Sequence, residues 1–141
     1  MNIRHILVAF DGSASSQKAF RAAIDLGLML KAKLTVLTVV HIPDFSPNID
    51  EVEETINEAE KHYQPLLVEL QDYGQKNGIE IKSVIVYGHP AEAIIKYASD
   101  REIDLIVMGT RGLGGFKKMV IGSVAQKVVS YSSTPVMVIR E

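Results

Sequence analysis

Cysteine is absent from the 141-residue chain, which excludes a disulfide framework and any thiolate metal site. Histidine is scarce. His5, His41, His62 and His89 fall at no ligand-like spacing, and each reads as a surface or capping residue. A basic excess is also missing: the formal net charge is −2, which argues against a general nucleic-acid binder. No apolar run reaches the ~18 residues that a membrane-spanning helix needs. The opening residues, MNIRHIL, pass straight into a strand pattern with no charged n-region ahead of a long apolar core. Neither a signal peptide nor a membrane span is expected, and the protein is read as cytoplasmic.

What is present is an ordinary globular composition, 47% apolar and 23% charged. The length suits one domain over residues 1–141. A chain of this size buries roughly 68–70% of the surface it exposes when unfolded, enough for a core without staples.

Apolar runs alternate with helical periodicity along the chain. Ile3 to Phe10 (IRHILVAF) reads as a strand, and Ser13 can cap a helix running to about Lys31, with Phe20, Ala23, Ile24, Gly27 and Leu28 as its apolar stripe. Leu34 to His41 is a second strand, and Pro43 to Asn48 (PDFSPN) a loop. Asp50 to about Lys76 is a long helix whose apolar face carries Val52, Ile56, Ala59, Tyr63, Leu66, Leu67, Leu70 and Tyr73. Pro65 removes one backbone donor inside it and should bend it, and Asn77-Gly78 ends it. Glu80 to Tyr87 is a third strand. Pro90 opens a short helix to about Asp100, Ile103 to Met108 is a fourth strand, a helix spans about Gly122 to Ser132, and Pro135 to Arg140 is the last strand. The order βαβαβαβαβ, with nearly continuous Val/Ile/Leu strands, predicts an α/β fold: an open parallel sheet covered by helices on both faces.

In such sheets ligands bind beyond the carboxyl ends of the strands. After the first strand stands Asp11-Gly12-Ser13 rather than the G-x-G-x-x-G of a dinucleotide fold, and after the third stands Tyr87-Gly88 rather than the acceptor aspartate of a phospho-receiver. A G-x-x-x-x-G-K-[ST] loop is absent, so this is no P-loop NTPase. The fourth connection reads Gly109-Thr-Arg-Gly112-Leu-Gly-Gly-Phe-Lys-Lys-Met-Val-Ile-Gly122-Ser123. Successive amides in a glycine-rich turn form an anion-binding concavity. Gly122-Ser123 then opens a helix whose first N–H groups and dipole favour phosphate. Ser123 can add its hydroxyl, and Lys117 and Lys118 lie close enough in sequence to supply charge, although they fit exposed loop lysines equally well. Glycine content alone fits a loop without a ligand equally well. Its position between a strand end and a helix start favours phosphate. For Asp11 the residues leave three roles open: capping the next helix, bonding adenine or ribose, or holding Mg²⁺.

The spacing Gly109-x2-Gly112-x9-Gly122-Ser123 resembles the ATP-binding signature of the universal stress protein family. The similarity extends to Ile6–Ser13 (ILVAFDGS), to Gly88-His89-Pro90-Ala91 and to Thr134–Ile139 (TPVMVI). The resemblance implies a Rossmann-like sheet of strand order 3-2-1-4-5 with ATP, or alternatively ADP or AMP, at the carboxyl ends of strands one and four, with Mg²⁺ as a companion. It places Phe10 and Asp11 beside the nucleotide, the backbone of Val39 on adenine, Met108, Gly109, Arg111 and Gly112 along ribose and phosphates, and Gly122, Ser123 and Val124 at the phosphate. It also implies a homodimer through the edge strand 136–139, whose apolar edge needs covering.

A nucleotide-responsive regulatory protein acting through a protein partner is the reading expected from these residues. A slow ATPase or a phosphoryl- or nucleotidyl-transfer enzyme is the alternative. Asp11, Arg111, Lys117 and Lys118 are raw material for turnover, but no residue is marked as a base. A scaffold with a vestigial site is a third reading, against which the intact glycines weigh.

Overall fold

The computed structural model describes residues 1–42, 48–110 and 121–140. The proposed loop residues Pro43–Pro47, and Arg111, Gly112, Lys117 and Lys118 of the glycine segment, lie outside them.

The elements run β1 (His5–Ala9), α1 (Ala14–Leu30), β2 (Lys33–Val40), α2 (Ile49–Lys76), β3 (Ile81–Tyr87), α3 (Pro90–Asp100), β4 (Leu105–Gly109), α4 (Ser123–Tyr131) and β5 (Val136–Ile139). Every pairing is parallel, and the sheet order is β3-β2-β1-β4-β5, as expected. β5 therefore stands at an edge. Strand alternation splits the core into two layers. Ile6, Val8, Phe10, Leu34, Val36 and Val107 pack toward α1 and α2. Leu7, Leu37, Ile106 and Met108 face the other way, toward Ala91, Ile94 and Ala98 of α3 and Ala125 and Val128 of α4. Side chains of one strand point to opposite faces at every step, so one apolar run feeds both layers.

Each helix starts for a local reason. Ser13 Oγ accepts the Ser16 amide at 3.1 Å and caps α1. Asn48 Oδ1 accepts the Glu51 amide at 2.8 Å and caps α2, where Asp50 and Glu51 in the first turn and Lys76 in the last complement the helix dipole. Pro90 occupies the start of α3. α2 continues through Pro65, which stands exposed.

Two details depart from the sequence pattern. Leu28 does not extend the buried stripe of α1: the stripe ends at Gly27, which takes the Ile79 side chain against it, and Leu28 is left 43% exposed. The apolar face of α2 is shallow. Only Leu67 and Gly74 are buried along it, and Tyr73 is 46% exposed with its ring edge-on to Phe20, centroids 6.0 Å apart.

Candidate functional site

The strand ladders end at different residues, and this opens a crevice. Pairing between β1 and β4 stops at Val8 with Val107. β1 stays paired with β2 one residue further, to Ala9 with Leu37, and β4 stays paired with β5 as far as Gly109 with Ile139. The central two strands thus part where the first crossover turns one way and the fourth the other, the place where open α/β sheets hold ligands.

One wall is the turn after β1. The Phe10 amide donates to the Leu37 carbonyl at 2.9 Å, and the Phe10 carbonyl accepts the buried Thr38 hydroxyl at 2.8 Å. Asp11 Oδ1 accepts the Ser13 amide at 2.9 Å in an Asx-turn, and since the cap of α1 is Ser13, Asp11 shapes the turn rather than capping the helix. Gly12 has φ +86°, a left-handed conformation that a side chain would strain. Ser16 Oγ donates to the Ser13 carbonyl at 3.0 Å, and Gln17 Nε2 donates to the Gly12 carbonyl at 3.1 Å. From α2, the Tyr63 hydroxyl reaches the Asp11 carbonyl at 3.5 Å. Burial, reinforced by the nearby Asp11 carboxylate, pushes the Tyr63 phenol above its usual value.

The other wall is the end of β4. Gly109 is buried against the first turn of α1, where a Cβ would lie 2.7 Å from the Ser15 carbonyl oxygen. Only a glycine lets this helix start so close to the strand. Thr110 is buried, and its carbonyl accepts the Gly122 amide at 2.6 Å. That bond draws the two ends of the glycine segment together, so Gly109 and Ser123 share one mouth. Gly122 is the N-cap of α4 and offers no side-chain bond to its first turn. Ser123, Val124 and Ala125 therefore start the helix with amides that have no intrahelical partner. Ser123 is exposed, and Val124 is half-buried against the α3–α4 layer.

The floor includes β2, which runs past the end of β1 to Val40. The Leu37 carbonyl points to β1, where it meets Phe10. Main-chain groups alternate sides along a strand, so Val39 also turns its N–H and C=O to the β1 side, beyond the last rung. The Thr38 hydroxyl, not the Val39 amide, takes the Phe10 carbonyl. Val40 faces the other way and accepts the Gly88 amide at 3.0 Å.

The fold thus brings Asp11, Val39, Met108, Gly109, Gly122, Ser123 and Val124 to one end of the sheet. The side chains of Phe10 and Met108 are buried in opposite layers, so at this crevice both present main chain. Among the described residues no group of three or more His, Asp or Glu is placed to hold a metal ion. His41 and His89, read as surface residues, meet at the ends of β2 and β3 with ring centroids 5.3 Å apart. Thr38, Ser16 and Tyr63 build the Asp11 turn and escaped sequence reasoning. The two hydroxyl residues inside the otherwise apolar LTVLTVV run, Thr35 and Thr38, were the available signal, and it did not say which of them serves the turn.

A doubly wound parallel sheet of this strand order defines an α/β protein of the Rossmann-like class. The profile of the universal stress protein family matches residues 2–140, and the chain belongs to that family. The chain is 33% identical over 149 residues to universal stress protein YxiE of Bacillus subtilis, with 96% of this chain and 97% of that one covered. Among solved structures it is similar to universal stress protein UspA from Lactobacillus plantarum, with a TM-score of 0.89, 32% identity and 99% of each chain covered. It is also similar to a universal stress protein solved in complex with cAMP, with a TM-score of 0.76, 26% identity and 99% of each chain covered.

Proposed function

We propose that the chain is a single nucleotide-binding domain over residues 1–141 that takes an adenine nucleotide, ATP foremost, in the crevice between β1 and β4. The observation that carries this reading is the contrast between the two helix starts that flank the crevice. Ser13 closes α1 with its own side chain, whereas Gly122 leaves the first turn of α4 open. An open helix N-terminus is where phosphate gains most from N–H groups and dipole. The similar protein bound to cAMP supports an adenine nucleotide as the class of ligand.

In this reading Ser123, Val124 and the Gly122 turn hold phosphate, with Gly109, Arg111 and Gly112 as the further contacts to ribose and phosphates. The Val39 main chain meets the adenine edge. Asp11 keeps its Asx-turn bond through Oδ1 and offers Oδ2 to a ribose hydroxyl or to Mg²⁺ accompanying the phosphates, a metal that needs few protein ligands when phosphate supplies others. Efficient hydrolysis needs a positioned base, and Asp11 is the only carboxylate of the set, already engaged in its turn. We therefore assign binding and signalling to a protein partner, in the cytoplasm, rather than turnover. β5, with Met137 37% exposed at the sheet edge, is the strand through which two copies would pair antiparallel.

Titration calorimetry with ATP, ADP, AMP and cAMP tests the reading. Gly122 has φ −65°, which valine adopts, so Gly122→Val should keep the fold and lose ATP at least about tenfold through crowding of the helix start. Undiminished ATP binding in that variant would remove the assignment. Phosphate release at high protein concentration, lost in Asp11→Ala while binding persists, would restore the enzyme. Sedimentation as a monomer at micromolar concentration would remove the dimer.

A further inference from the structure

A second cleft, with a volume of about 240 Å³, lies between α1 and α2, next to the turn that forms one wall of the crevice. Its walls are Phe20 on one helix and Leu66, Leu70 and Tyr73 on the other, and Phe10 forms its base. The rim carries opposite charges from opposite helices, Arg21 on α1 and Glu69 on α2. Both are exposed, and neither makes an ion pair among the described residues.

We propose that this cleft is a binding site for a small aromatic zwitterion of the size of a free aromatic amino acid. Volume sets the body of the ligand. An apolar cavity of about 150 Å³ holds a benzene ring, so the larger space admits a ring with a short polar arm or a fused pair of rings. Lining chemistry sets its character, because Phe10, Phe20 and Tyr73 favour an aromatic guest in offset or edge-on contact. Charge sets its ends. A carboxylate meets Arg21, an ammonium meets Glu69, and a ligand carrying only one charge would face one of the two with the wrong sign. Gln17 lies on the same rim while its amide nitrogen donates to the Gly12 carbonyl, so the cleft adjoins the turn that carries Asp11.

Free L-tryptophan is the probe, because the protein contains no tryptophan and the ligand emission is read without background. Saturable binding to the full chain is expected, weakened about tenfold in each of Arg21→Gln and Glu69→Gln. Thermal melting checks that these surface variants stay folded. Nuclear Overhauser contacts should link the ligand ring to Phe20 and Tyr73. Indole, which keeps the ring and lacks both charges, should bind more weakly than L-tryptophan and equally to the parent and both variants. The proposal is overturned by no saturable binding of L-tryptophan, by affinity unmoved in both variants, by indole binding as tightly as L-tryptophan, or by Overhauser contacts confined to other residues.

Discussion

The two connections that face the central crevice solve the same problem in opposite ways. After β1 the chain bonds to itself: Asp11, Ser13, Ser16, Gln17 and Thr38 engage backbone groups of the turn with their side chains. After β4, the described ends share one bond, from the Gly122 amide to the Thr110 carbonyl, and the helix begins on a residue with no side chain. The serine cap takes one of the first amides of α1, whereas the glycine cap of α4 takes none with a side chain and leaves them all to give. Of the two helix starts at the crevice, α4 is the one without a side-chain cap bond, which is why phosphate is proposed there. The same comparison separates the glycines, since Gly109 is required by the packing of α1 on β4, whereas Gly122 has φ −65°, a backbone conformation open to other residues.

The largest test of that separation is Gly109→Ala. The new Cβ would press on the Ser15 backbone, which cannot swing aside, so a loss of about 3 kcal/mol and a melting temperature lower by roughly 10 °C are expected. A variant as stable as the parent would show that Gly109 serves only a ligand. Next comes Thr38→Val, which keeps the shape and leaves the Phe10 carbonyl without its donor. Chemical denaturation should show a loss of about 1–3 kcal/mol, and the Asp11 turn should loosen in hydrogen exchange. Ser13→Ala should cost about 1 kcal/mol of stability through the lost cap. If nucleotide binding also rose in Ser13→Ala, the α1 start would be a competing phosphate site and the contrast would fail.

The smallest effect concerns the opposite end of the sheet. His5 bonds Thr35 Oγ1 at 2.7 Å beside Asp104, whose carboxylate accepts the amides of Arg4 and His5. Burial lowers the His5 pKa below its usual value of 6.5, with the charge of Asp104 opposing this in part. The unfolded chain then binds more protons than the folded one between the lowered value and 6.5. Stability contributed by neutral His5 is present above 6.5 and declines as the pH falls through that window. His5→Gln should flatten this slope in melts taken across mildly acidic pH. Nucleotide affinity should not follow it, because His5 lies at the amino end of β1 and the crevice at the carboxyl end.

Much of this was legible in the sequence because its causes are local. The Ser13 cap, Pro90 at a helix start and the Asn77-Gly78 stop were each readable from neighbouring residues, and the structure has them in place. β4 ends one residue later than its apolar run suggested, since Gly109 continues the ladder with β5 although it carries no side chain to mark it. Tyr73 and Leu28 fit helical periodicity yet are substantially exposed, because periodicity names a face and not what lies against it.

By itself the sequence determined the α/β class, the succession of elements and the glycine segment as a phosphate candidate, all consequences of side-chain period and turn chemistry over a few residues. Tertiary structure alone decided that the β1–β4 ladder stops short and opens a crevice, that Phe10 turns its ring into the α1–α2 layer, and that Gly109 is held by Ser15. It also decided that Arg21 of α1 and Glu69 of α2 line one aromatic cleft. These are relations between residues far apart in the chain. Register, layer thickness and close backbone approach create them, and no local pattern encodes those quantities.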